Sequence, residues 1–159
     1  FETDLDTFKA DAACVVTAQK AGAIAMAAGV NNGDWCPIVP ASMQSQADEN
    51  IYVLGDASIA KSMPKSGFSA NSQAKVAANH IRGALTGSKV FDARYSNTCW
   101  SLVATDDGIK VGASYKAGSE AIEATSKFVS QVGEDSDTRK ATYVESIGWY
   151  DGITSDMFT

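Results

Sequence analysis

The order of apolar and polar residues in the first part of the chain predicts a strand, a helix and a second strand. Residues 8–16 have a strand-like pattern, and the alanine-rich run 17–28 predicts a helix that stops at Gly29. Turn residues and prolines in 31–40 predict a connection. Residues 51–54 are consecutive large apolar side chains, which is typical of a strand buried on both faces of a parallel sheet.

A longer helix is predicted after the loop at residues 64–67, because apolar side chains recur there at intervals of three and four until Gly87. The predicted buried face consists of Ala70, Ala74, Ala77, Ala78, Ile81, Ala84 and Leu85. The predicted polar face carries Gln73, Lys75, Asn79 and Arg82. This helix completes an α/β unit within residues 1–88.

From residue 89 the pattern changes to that of antiparallel strands. Two β-rich runs at 99–103 and 109–115 flank an Asp-Asp-Gly turn, which predicts a hairpin, and a third strand is predicted at 121–125. A C-terminal helix is predicted from about residue 137, loosening near Gly152, with a buried face of Ala141, Val144, Ile147 and Gly148. The predicted fold class is therefore α+β, with an α/β remnant in 1–88 and a small antiparallel sheet with a C-terminal helix in 89–159.

Composition and charge narrow the class of protein. The chain has 159 residues, of which 45% are hydrophobic and 20% charged, as in globular domains. Thirteen basic and nineteen acidic side chains give a net charge of -6, which argues against nucleic acid as a partner. The apolar stretches are far shorter than the roughly 20 residues that span a bilayer, so no membrane span is predicted.

The cysteines and the single histidine indicate no metal site. Cys14, Cys36 and Cys99 are far apart in the sequence and form neither a disulfide framework nor a zinc motif. Cys14 is predicted to be a small buried thiol in the strand at 8–16, and Cys36 is predicted to be structural. His80 is predicted to be a solvated or capping side chain.

Two short segments are candidates for ligand binding. Gly55 and Asp56 follow the apolar run 51–54, and the carboxyl ends of parallel strands are where open α/β sheets bind ligands. The glycine would allow close approach and the carboxylate would accept hydrogen bonds from hydroxyls, although a plain turn has the same pattern. Residues 64–69 precede a helix start that attracts negative charge, with an ordinary serine N-cap as the alternative.

Taken together, the ordered motifs of the chain resemble one known family. The motifs are NIYVLGDAS at 50–58, MPKSGFSANSQ at 63–73 and YSNTCWS at 95–101, accompanied by WCP at 35–37 and GWYD at 148–151. Their order resembles the C-terminal part of the flavoprotein subunit of flavocytochrome c sulfide dehydrogenase, an oxidoreductase of the two-dinucleotide-domain FAD group. The resemblance implies that residues 1–88 contain portions of the nucleotide-binding-type and FAD-binding domains and that 89–159 form the C-terminal domain. The family chain is much longer, so this resemblance predicts a truncated domain.

The resemblance also implies roles for individual residues. Asp56 would contact the ribityl hydroxyls of FAD, with Gly55 permitting the approach, and Lys65, Ser66 and Gly67 would lie beside the pyrimidine edge. Cys99 would be one half of a redox-active disulfide whose partner cysteine is absent from this sequence. Trp149 would lie near the flavin ring, with core packing as the alternative reading.

The implied function is electron transfer from sulfide through the disulfide and FAD to a c-type cytochrome, in the periplasm. We expect this chain alone to be inactive and to bind FAD weakly or not at all, because it lacks the GxGxxG pyrophosphate motif and the second cysteine. The alternative function is a non-catalytic docking module that self-associates as a homodimer through an open sheet edge. Alkylation is expected to be fastest at Cys99 and slowest at Cys14.

Overall fold

A computed structural model describes residues 2–158 and has the mixed α+β architecture that the sequence predicts. The elements are α1 (Ala23–Ala27), a 3₁₀ turn (Gly55–Ala57), α2 (Gly67–Thr86), β1 (Arg94–Ala104), β2 (Asp107–Ala117), β3 (Ile122–Val129) and α3 (Ser136–Phe158). The strands form one antiparallel sheet in the order β1-β2-β3. Within residues 2–158, every helix is too short or too polar to traverse a lipid bilayer.

The strand predictions for the first part of the chain are wrong. Residues 8–16 are exposed and have no regular structure, and only Ala23–Ala27 of the helix predicted at 17–28 forms. Residues 51–54 are half-buried or exposed rather than buried on both faces, and Tyr52 makes a single antiparallel bridge with Gln44. A doubly buried strand of a parallel sheet needs a paired strand on each edge, and in the described chain this run bridges only the short segment around Gln44. Ile51 and Val53 nevertheless pack against the hydrophobic clusters of the fold.

Helix α2 confirms the predicted helix but presents a different face to the rest of the protein. Its buried residues are Ser69, Gln73, Val76, Ala77 and Gly83. Leu85, predicted to be buried, is 81% exposed, and Gln73, predicted to be polar and outward-facing, is 1% exposed. The helix lies along the edge of β1, where the Ser96 amide donates to Ser72 Oγ at 3.0 Å. A polar strand edge selects hydrogen-bonding side chains on the helix face that covers it.

The second part of the chain confirms the predicted hairpin, third strand and C-terminal helix. Helix α3 continues through Gly152 to Phe158, so the predicted loosening is wrong. The predicted buried face is also wrong, since Val144 and Ile147 are 57% and 41% exposed while Thr142 is buried. The reason is close packing: the backbone of α3 approaches β2 at Gly108, where only small side chains fit between helix and sheet.

Two hydrophobic clusters hold the fold together. The main core consists of Ile38, Met43, Ala60, Met63, Val76, Ala77, Tyr95, Ala113, Tyr115 and Ile122. A smaller cluster consists of Ala21, Ala25, Val30 and Cys36. The Tyr95 hydroxyl donates to the Pro40 carbonyl at 2.5 Å, and burial raises the pKa of Tyr95. The main core takes side chains from both sides of residue 88, and the two-domain division remains a prediction about family relationships.

Candidate functional site

The start of helix α2 lies next to the 3₁₀ turn that contains Gly55 and Asp56. The Lys65 ammonium donates to the main-chain carbonyl oxygens of Asp56 and Ser58, the latter at 3.2 Å. These bonds join the turn to the residues that lead into the helix. The two ligand-binding candidates that are separate in the sequence are therefore neighbours in the structure.

Gly55 has a conformational role that the sequence did not specify. Its φ of 67° lies in the left-handed region that favours glycine. Its amide donates to Gln73 Oε1 at 2.7 Å, and Gln73 Nε2 donates to Met63 Sδ at 3.8 Å. Gln73 thereby holds the 3₁₀ turn against α2. Its predicted outward position is wrong, because its side chain accepts a hydrogen bond from the main chain of Gly55.

The charged groups of this region are held in defined positions. Lys65 Nζ lies 3.7 Å from the centroid of the Trp35 ring, a cation–π contact. Burial of the ammonium lowers the pKa of Lys65, while the nearby Asp56 and Cys36 act in the opposite direction. Asp56 is exposed, and in the part of the chain that the structure describes no group donates to its carboxylate. Both carboxylate oxygens are therefore open to a ligand.

A hydrogen-bonded chain connects the start of α2 to Cys99. Ser66 Oγ and Ser69 Oγ donate to Asn97 Oδ1 at 2.5 and 3.1 Å. Asn97 Nδ2 donates to Cys99 Sγ at 3.5 Å. Asn97 is 3% exposed. It lies within the motif at 95–101, yet the sequence assigned it no role; its position two residues before Cys99 on the same strand face was the available signal.

Trp149 belongs to an aromatic cluster beside the first turn of α2. Its ring stacks on Phe68 with centroids 5.5 Å apart and an interplanar angle of 15°. Trp100 lies 5.5 Å from Trp149 and 5.8 Å from Phe68. The buried indole nitrogen of Trp100 has no hydrogen-bond partner among the described residues. The cluster places Trp149 against Phe68, the residue that follows Gly67, and its role as a wall of the flavin site stays a prediction.

Two cavities adjoin these residues. One of about 200 Å³ lies between the 3₁₀ turn and α2 and is lined in part by Trp35, Gly55, Lys65, Ser66 and Gln73. The other, about 650 Å³, is a groove on the sheet that includes Asn97, Cys99, Val111 and Phe128 and has the size of a small-molecule site. A cavity of about 930 Å³ beside His80 and Arg94 contains none of the predicted site residues.

His80 has a structural role that differs from the predicted solvated or capping side chain. Its Nδ1 is hydrogen-bonded to the Tyr52 hydroxyl at 2.9 Å, and the two ring centroids are 5.9 Å apart. The pair joins α2 to the segment that precedes the 3₁₀ turn. Among residues 2–158 no group of histidine, cysteine and carboxylate side chains is arranged to hold a metal ion.

Of the three cysteines, Cys14 differs in environment from the prediction. Cys14 is exposed rather than buried, because the strand predicted around it does not form. Cys36 is fully buried, and burial raises the pKa of its thiol while the nearby Lys65 charge opposes the shift. Cys99 is exposed and lines the groove on the sheet.

The sequence-based expectation that Cys14 reacts last loses its basis because Cys14 is exposed. We expect alkylating reagent under native conditions to modify Cys14 and Cys99 well before Cys36. The thiolate is the reactive species, and Cys36 is both inaccessible and held as the thiol by burial. Peptide mapping during the reaction measures the order, and labelling in denaturant, where the three rates should converge, is the control. Modification of Cys36 as fast as Cys14 would contradict the packing described for the smaller cluster.

Residues 91–158 match the family model described as flavocytochrome c sulphide dehydrogenase, flavin-binding. The matched stretch contains the sheet and α3, and with them Cys99 and Trp149. Gly55, Asp56 and residues 65–67 precede it. The hydrogen bond from Ser66 to Asn97 connects these preceding residues to the matched stretch.

Proposed function

We propose that this chain forms one wall of the flavin site in a sulfide-oxidising flavoprotein, because residues 91–158 match the model of the flavin-binding domain of flavocytochrome c sulfide dehydrogenase. The observation that carries the proposal is the hydrogen-bonded link from Ser66 through Asn97 to Cys99 Sγ. It joins a helix start suited to negative charge with a sulfur suited to redox chemistry. The proposed electron path runs from sulfide through a disulfide and FAD to a periplasmic c-type cytochrome.

The residues around the start of α2 have the chemistry that a flavin requires. FAD, when bound, supplies the electron acceptor for the reaction. The amides of Gly67 and Phe68, in the first turn, have no acceptor within the helix, so they would stabilise negative charge at the pyrimidine edge together with Lys65. The open carboxylate of Asp56 would accept hydrogen bonds from the ribityl hydroxyls.

Cys99 is accessible to a small sulfur nucleophile. Its side chain lines the groove that also includes the apolar residues Val111 and Phe128. An exposed sulfur with an amide donor at 3.5 Å can undergo thiol–disulfide exchange from the solvent side. In the proposed reaction Cys99 acts as one of two exchanging sulfurs.

The pyrophosphate of FAD has no counterpart site in this sequence, which contains no GxGxxG. Each charge-assisted hydrogen bond missing from such a cradle is worth about 1.5–3 kcal/mol. We therefore expect the chain by itself to bind FAD with a dissociation constant of roughly 0.1–1 mM, measured by equilibrium dialysis. Lys65→Ala should weaken this binding about fivefold or more, since it removes the charge beside the pyrimidine edge.

Lys75→Ala is the matched control. Lys75 is an exposed lysine of α2 that pairs with Asp156 at 3.5 Å, away from the helix start, and its removal should leave FAD binding unchanged. Tight stoichiometric binding of FAD would show that the pyrophosphate contacts are not needed. Equal losses in the two variants would mean that the dinucleotide binds by charge alone, and absence of binding at millimolar FAD would favour the non-catalytic, self-associating alternative.

A further inference from the structure

We propose that Asn97 is a positioning residue that sets the reactivity of Cys99 by aiming its amide N–H at the sulfur. Asn97 is 3% exposed and lies between two serines of α2 and Cys99. The function of the sulfur in catalysis rests on the proposed function above. The hydrogen-bonding role of Asn97 does not, and it is tested on the thiol itself.

The hydrogen-bond network fixes which end of the amide faces the sulfur. Ser66 Oγ accepts the Ser69 amide at 3.1 Å, so its own proton is available to Asn97. Ser66 and Ser69 both donate to Oδ1, which leaves Nδ2 as the end that faces Cys99. A flipped amide would turn Oδ1 away from both hydroxyls and leave the Ser66 and Ser69 protons without this shared acceptor. Ser66 and Ser69 therefore orient the amide N–H of Asn97 toward the sulfur of Cys99.

An oriented N–H donor matters most when negative charge develops on the sulfur. A hydrogen bond to a charged acceptor is roughly twice as strong as one to a neutral acceptor. Ser69 and Asn97 are 1% and 3% exposed, so little water competes for the bond between these two residues that holds the amide in place. The thiolate of Cys99, the form that attacks electrophiles and that leaves when a disulfide opens, gains more from Asn97 than the neutral thiol does.

The hydrogen bonds between Ser66, Asn97 and Cys99 all donate in the same direction. Proton donation runs from Ser66 to Asn97 and from Asn97 to Cys99. A group that competes for the Ser66 hydroxyl at the start of α2 would loosen the amide and weaken the donor at the sulfur. Asn97 thus couples the helix start to the thiol through a single side chain.

The test measures the alkylation rate of Cys99 as a function of pH in the whole chain without flavin. Asn97→Asp keeps the acceptor for both serines but replaces the donor with a carboxylate. We expect alkylation of Cys99 at neutral pH to slow about tenfold and its pH profile to move toward alkaline pH. Ser69→Ala, which removes one of the two hydroxyls that orient the amide, should slow the reaction about twofold to threefold.

Two other thiols serve as controls within the same sample. Cys14 is exposed and has no part in the network, so its alkylation rate is the control for the activity of the reagent. Cys36 is fully buried, so its protection reports that the variant is folded. An unchanged Cys99 profile in Asn97→Asp with Cys36 protected would overturn the proposal. If Asn97→Asp exposes Cys36, Ser69→Ala decides: slower alkylation of Cys99 supports the relay, and the wild-type rate overturns it.

Discussion

Replacement of Gln73 by alanine is expected to lower the free energy of unfolding by about 2–4 kcal/mol, the largest effect among the side chains at the site. Gln73 is 1% exposed, and its Oε1 is the acceptor for the Gly55 amide at 2.7 Å. The variant leaves that main-chain donor unsatisfied and opens a cavity beside Met63. Denaturant unfolding followed by tryptophan fluorescence measures the loss.

Two further variants separate the loss of the hydrogen bond from the loss of buried volume. Gln73→Met retains most of the buried volume and removes only the acceptor, so it should lose about 1–3 kcal/mol. Gln19→Ala changes the same residue type at an exposed position and should stay within about 0.5 kcal/mol of the wild type. A Gln73→Met variant as stable as the wild type would mean that the bond to Gly55 contributes nothing to the fold.

Replacement of Gly108 by alanine is expected to destabilise the docking of α3 on the sheet by about 1–3 kcal/mol. A Cβ at this position would lie 2.9 Å from the Tyr143 nitrogen and 3.0 Å from its Cα. Both atoms belong to the helix backbone, so relief requires the whole of α3 to shift. The shift would also move Trp149 away from Phe68, which a change in tryptophan fluorescence would report.

Gly148→Ala is the matched control and should have the opposite sign. A Cβ at Gly148 meets no atom within 4 Å, and this glycine lies in the interior of α3. Alanine there should stabilise the protein by about 0.5–1 kcal/mol, because it favours the helix. Equal destabilisation by the two substitutions would contradict the close packing of α3 on β2.

Elements defined by local patterns could be predicted from the sequence, whereas the faces that they bury could not. The Asp-Asp-Gly turn between two β-rich runs and the three- and four-residue spacing in α2 depend only on neighbouring residues, and both elements form. The face of α2 depends on the strand beside it. Ser69 is buried where its hydroxyl donates to Asn97 of β1, Gln73 is buried where it accepts the Gly55 amide, and Leu85 is exposed.

The strand predictions at 8–16 and 51–54 were wrong for a related reason. An apolar stretch becomes a strand only when other strands pair with it, and no pattern within the stretch reports whether those partners exist. In the described chain the run at 51–54 forms one bridge, Tyr52 with Gln44, flanked by main-chain hydrogen bonds of Ile51 with Ser45 and of Val53 with Met43. Val16, without any partner layer, is 89% exposed.

The candidate site was predictable only as far as its motifs extend. The motifs singled out Gly55, Asp56, Lys65 and Cys99, and their binding and redox roles remain predictions. Asn97 and Gln73 were missed because their roles depend on partners far away in the sequence: Ser66 is 31 residues from Asn97 and Gly55 is 18 residues from Gln73. A side chain that serves a distant main-chain or hydroxyl group leaves no periodic signal.

Mapping the weak FAD complex by amide chemical shifts tests whether flavin binds at the start of α2. Titration with FAD should shift the amides of Gly67 and Phe68 and the indole N–H of Trp149, while adenosine monophosphate, which lacks the flavin ring, should leave them in place. These two amides lie in the first turn of α2, and the indole of Trp149 belongs to the adjoining aromatic cluster. Shifts centred instead on the cavity beside His80 and Arg94, with the start of α2 unmoved, would contradict the account.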